Sequence, residues 1–128
     1  MKKQILIFAF TIFHTTIIFS NNISISNVSL TGKNTTDHFC MVQFDLTWEN
    51  SWRVDTGAMN WDAVWVFVKF RIGETGEWQH ASLSTISYEH FAPSGSTIDA
   101  TQNRKGVFIY RDAAGRFCGR GNPQRLRS

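Results

Sequence analysis

Three side chains in this 128-residue chain are suited to acid–base work: His80, Glu89 and His90. A general acid or base needs a nucleophile or a second titratable group within hydrogen-bond reach. No G-x-S-x-G, H-E-x-x-H, P-loop or G-x-G-x-x-G pattern accompanies them. No catalytic residue is therefore assigned, and the chain is expected not to be an enzyme. The second kind of chemistry on offer is recognition. All five tryptophans fall between Trp48 and Trp78, among Glu49, Asn50, Arg53, Asp55, Asn60 and Asp62. Flat rings stack on the C–H faces of sugars while nearby carboxylates and amides hold the hydroxyls.

The competing use of a tryptophan is to fill a core. Trp48 and Trp65 lie on segments whose pattern points them inward, and Trp78 is read the same way. Trp52 and Trp61 flank the loop from Arg53 to Asn60 and are less constrained. The candidate ligand-binding set is therefore Trp52, Trp61, Arg53, Asp55, Asn60 and Asp62. Asp55, Asn60 and Asp62 could also offer oxygen ligands to calcium, but the stretch DTGAMNWD lacks the dense alternating ligands of a calcium loop. Polar turn residues that satisfy their own backbone explain it better. His38, His80 and His90 show no ligand spacing with either cysteine, so neither a metal nor a cofactor is expected.

The elements that must position these residues read as β-strands. Gly, Asn, Ser and Thr punctuate the chain about every ten residues, and the apolar segments between them alternate. Ile23 and Ile25 share one parity while Val28 and Leu30 take the other, which predicts a bulge in a first strand. Thr31-Gly32-Lys33-Asn34 is read as the following turn. From Phe39 to Trp48 the even positions are apolar, the mark of a half-buried strand. Trp61 to Ile72 is apolar on both parities at first and is read as a central strand. Gly73-Glu74-Thr75-Gly76 suits a hairpin loop that returns Glu77 to Leu83 antiparallel to it. Short strands follow at Thr97–Ala100 and Gly106–Arg111, with a turn at Asp112–Gly115.

The ends differ from this body. Lys2 and Lys3 precede an apolar run from Ile5 to Phe19, the pattern of a secretory signal peptide over residues 1–20. The run is shorter than the roughly 20 residues that span a bilayer and contains a histidine, so no stable membrane span is expected after its removal. The protein is then secreted or held at the cell surface. Residues 21–103 hold four basic against nine acidic side chains, a net of −5, whereas residues 104–128 hold seven against one, a net of +6. An acidic body opposes nucleic-acid binding, which is not expected. The two cysteines, Cys40 and Cys118, make no disulfide framework, and their spacing does not tell whether they pair. The division is thus residues 21–115 as one β-sandwich module, with residues 116–128 as an irregular basic tail. Six recognisable strands look like an antiparallel sandwich, immunoglobulin-like or jelly-roll-like, lacking its last strands. Truncation or loss of reading frame would produce that end, and so would a disordered basic tail.

The stretches NNISISNVSLTGKNTTDHFCMVQFDLTWENSWRV, NWDAVWVFVKFRIG, GEWQHASL, APSGSTID and GVFIYRDAAG together resemble the N-terminal β-rich region of bacterial secreted proteins of the formylglycine-generating enzyme (sulfatase-modifying factor) family. The likeness runs from about Asn21 to Gly115. It implies further strands and a downstream sulfatase-modifying-factor domain, neither present in the chain. The family's catalytic cysteines belong to that domain, so Cys40 and Cys118 do not take their role. The expectation is a non-catalytic exported module that supports or presents a downstream domain on a bacterial surface protein. The alternative is a carbohydrate-binding module that uses Trp52 and Trp61 on cell-surface glycan.

Overall fold

The computed structural model describes residues 22–119 and 123–127, without the side chains of residues 116–119, 123 and 124. The expected leader and the Cys118 side chain lie outside the described residues. The fold is antiparallel and all-β. Among the described residues the helical element is a single 3-10 turn, Ser87–Glu89.

Strand β2 (Phe39–Val54) organises the first sheet. Its even positions Val42, Phe44, Leu46 and Trp48 are buried, as their alternation predicts. Strand β1 (Ile23–Asn34) pairs along one of its edges. The expected bulge is present: the register shifts between Ser26 and Ser29, and Asn27 takes a φ of 53°. Its amide donates to Asp45 Oδ2 at 2.7 Å. The bulge returns Leu30, opposite Val42, to the face of Ile23 and Ile25, opposite Trp48 and Leu46. The turn comes four residues later than expected. Gly32 (φ 55°) sits in a second irregularity of β1, and Thr35–His38 makes the reversal. Asn34 Oδ1 holds it by accepting the N–H groups of Thr36 and Asp37, each at 2.9 Å.

The chain leaves this sheet for a second one through β3 (Asn60–Trp61), which pairs with Arg53 and Val54. Trp61–Ile72 is accordingly not one central strand. It breaks into β3, β4 (Val64–Val66) and β5 (Lys69–Phe70), and β4 lies at the edge of a three-stranded sheet. The break is set by Asp62, whose Oδ1 accepts the Trp52 N–H at 2.8 Å and pins the corner. Strand β5 pairs with β6 (Gln79–His80) in the expected hairpin, shorter than its sequence suggests. Strands β7 (Ser96–Ala100) and β8 (Val107–Arg111) complete the second sheet in the order β4-β8-β7.

The end of the chain corrects another expectation. Residues 116–128 were expected to be irregular, yet β9 (Gly115–Gly119) and β10 (Pro123–Arg127) pair with the second edge of β2, at Trp48–Arg53 and Met41–Asp45. Ladder hydrogen bonds belong to the backbone, so an open edge can recruit a segment of poor strand composition. Leu126 is fully buried opposite Val42 and gives β10 its one apolar anchor.

Both sheets contribute to one core. Val42, Phe44, Leu46, Trp48 and Leu126 come from the first, Val64, Val66, Ile98, Val107 and Ile109 from the second, and Leu83 from the loop after β6. Each such aliphatic side chain contributes about 1.5–3 kcal/mol by leaving water. The Trp48 indole N–H is buried without an acceptor among the described residues, so Trp48 acts by packing alone. The outer edge of β10 is closed by the loop that follows Leu83. Phe91 and Arg125 exchange both backbone hydrogen bonds, at 2.9 and 3.0 Å. Buried His90 accepts the Arg127 N–H at Nδ1 (3.1 Å) and donates from Nε2 to Ser84 O (3.0 Å). Glu89 accepts from both Ser84 Oγ and Arg127 Nη1.

Replacing His90 by Phe leaves the Arg127 N–H and the Ser84 carbonyl unpaired in a buried place. A loss of about 1–3 kcal/mol is expected in urea unfolding. Trp48→Phe is expected to cost far less than Trp48→Ala, for which about 3–5 kcal/mol is expected.

Candidate functional site

The expected ligand-binding residues do meet, at the corner where the chain passes between sheets. Arg53 reaches Asp55 Oδ1 at 2.6 Å and the Arg111 carbonyl at 2.8 Å. Its guanidinium stacks over the Trp61 ring, 4.6 Å from the centroid. Asp55 also accepts the Ala114 N–H at 3.2 Å, and Asp62 binds the Trp52 backbone in both directions. Asn60 is exposed on β3, opposite Val54. Trp52 is half-buried. Most of the charge at this corner is thus spent on fastening one sheet to the next, and Trp61 is the large ring that faces water.

Trp65 and Trp78 are not core residues, contrary to expectation. They are 50% and 62% exposed. Val64 and Val66 take the inward positions of β4, so Trp65 must point outward. Trp78 precedes β6 on a hairpin that carries no buried residue.

Trp78 carries the Arg71 guanidinium 5.2 Å from its centroid, whereas Trp65 belongs to a row along the outer face of the second sheet. Trp65 pairs across strands with Phe108, which in turn opposes Asp99. From Trp65 the row continues to Phe67, with centroids 5.2 Å apart, and from Phe67 to His80 at 5.5 Å. In the other direction Tyr110 shares the face of Phe108 two residues on, opposes Thr97, and lies 5.8 Å from Trp61. Gly106 makes room for the central ring: a Cβ there would overlap the Trp65 indole and lie 2.8 Å from the Val66 carbonyl. The pyrrole edge of the indole consequently comes close to the backbone just before β8, where only a glycine leaves it room.

Of the sequence-based set, the row contains Trp61, with Arg53 stacked at its end. Trp65, Phe67, Phe108 and Tyr110 lie outside that set, and His80, singled out in the sequence for acid–base work, joins the row as a ring. A signal existed. In VWVF (64–67) and VFIY (107–110) the aliphatic residues occupy one parity and the aromatic residues the other. Comparison with family models, with curated proteins and with solved structures returns no match to this chain. Among the described residues, no helix is long and apolar enough to cross a membrane, and no three His, Cys, Asp or Glu side chains gather where they could hold a metal ion.

Gly106→Ala should push the Trp65 indole off the strand. A changed near-UV circular dichroism spectrum is expected, with a stability loss of about 1–3 kcal/mol from overpacking. An unchanged spectrum would show that the ring is not held there.

Proposed function

We propose that this chain is a non-catalytic, exported β-sandwich module, immunoglobulin-like or jelly-roll-like, that supports or presents a further domain of a bacterial surface protein. Residues 1–20 serve as its export signal in this reading. The observation that carries the support role is the bare apolar side of β1. Ile23, Ile25 and Leu30 stand on the same face of the first sheet as the buried Trp48, Leu46 and Val42, yet they are 48%, 47% and 74% exposed. The second sheet covers β2 and leaves β1 open. An open hollow of about 910 Å³, lined in part by Leu30, Gly32, His38 and Cys40, continues this surface at the hairpin end. Contiguous apolar surface of this kind is a place where another layer packs.

The domain that would cover it is, by the sequence resemblance, a downstream sulfatase-modifying-factor-like domain. The comparisons add nothing to that resemblance, so it stands on the strand motifs alone. The carbohydrate-binding alternative at Trp52 and Trp61 keeps Trp61 and loses most of Trp52, whose ring is half-buried.

The test is to express the chain joined to the domain encoded downstream of it. A thiol at Leu30→Cys, followed at that site by mass spectrometry, should react with a maleimide at least tenfold more slowly than in the 128-residue chain alone. Equal reactivity, or a locus that encodes no downstream domain, would remove the support role.

A further inference from the structure

We propose that the outer face of the second sheet binds an extended neutral glycan along its aromatic row. The surface differs from the bare side of β1, so either proposal can fail without the other.

The residue types argue for sugar over a protein partner. On β4 and β8 every outward side chain of the row is a ring, whereas the aliphatic residues of the same strands, Val64, Val66, Val107 and Ile109, are all turned into the core; Lys69 joins the face only at the hairpin end, opposite His80. An aromatic face gives stacking area to the C–H surface of a pyranose at little conformational cost, since each ring has only two rotatable side-chain bonds. Successive rings lie 5.2 to 5.8 Å apart where their contacts are defined, and the row runs from the Trp61 corner to the β5–β6 hairpin. A row of this length suits a chain of sugars more than a single one. It is also mounted on paired strands, which hold the rings in place before any ligand arrives.

Polar groups stand beside the rings, where hydroxyls at the edge of a stacked sugar would fall. Asp99 opposes Phe108, and Thr97 opposes Tyr110. Neither side chain has a hydrogen bond or ion pair among the described residues, in contrast to Asp55 and Asp62 at the corner, which are engaged. Asp99 stands at the centre of the row and Lys69 at its hairpin end, opposite His80, so the face carries one charge of each sign. An exposed carboxylate opposite the central ring repels a polyanion and accepts hydrogen bonds from neutral hydroxyls. The Arg53 charge at the other end is met by Asp55.

Affinity electrophoresis of the full chain through gels containing hydroxyethylcellulose, arabinoxylan or galactomannan tests this directly. Retardation by at least one of these neutral probes is expected. Trp65→Ala and Phe108→Ala should each weaken it at least tenfold, and Asp99→Asn at least threefold, with far-UV circular dichroism unchanged because all three positions face solvent. Tyr88→Ala, exposed in the 3-10 turn and in no ring contact with the row, should bind as the parent does. Should Trp65→Ala fail to fold, Phe108→Ala and Asp99→Asn decide the matter. The proposal is overturned if no neutral probe retards the chain, if the row variants bind as well as the parent, or if only alginate is bound. It is equally overturned if sedimentation shows a dimer abolished by Phe108→Ala and no glycan binding, since the row would then serve a second copy.

Discussion

Everything in this fold leans on the two-sided pairing of β2. Sixteen residues of extended backbone present donors and acceptors along both edges, and four strands meet them: β1 and β3 on one side, β10 and β9 on the other. Unpaired, each buried amide or carbonyl would carry a desolvation cost of about 1–3 kcal/mol. The same strand also supplies the largest share of the buried apolar surface, through Val42, Phe44, Leu46 and Trp48. Ladder and core are therefore one constraint, since the register that satisfies the backbone also turns the even side chains inward.

That constraint explains why segments of unequal quality become strands. The stretch 123–127 has one apolar residue and two arginines among its five, yet it pairs because β2 offers an open edge and Leu126 finds the core. The loop after Leu83 then holds β10 in place from its other side, through Phe91, His90 and Glu89. Arg127 joins this closure twice, through its backbone N–H and its guanidinium. A basic residue at the end of a chain is here part of the packing.

The second sheet is one-sided in a different sense. Its inner face is aliphatic and its outer face aromatic, and neither choice is neutral. Val and Ile have stiff, branched side chains that pack closely in the shared core. The Trp65 ring lies on the outward face, where Gly106 leaves it room. At the corner, Arg53 ties together Trp61, Asp55 and the Arg111 carbonyl, so the outer row ends where the two sheets are joined.

Alternation alone determined a good deal: the all-β class, the buried face of Phe39–Trp48, the bulge before Val28, the Gly73–Gly76 hairpin and the strands at Thr97–Ala100 and Gly106–Arg111 were legible because a period of two is a local property of the chain. Tertiary structure decided which parity of a doubly apolar strand faces in, and so placed Trp65 outside. Such a strand sorts its aliphatic and aromatic residues by parity, but which parity turns in is chosen only by what packs against it. It likewise decided that Asp62 breaks Trp61–Ile72 at a corner and that the residues after Gly115 pair with β2. Those outcomes depend on a neighbour's unsatisfied edge, which lies far away in sequence and near in space.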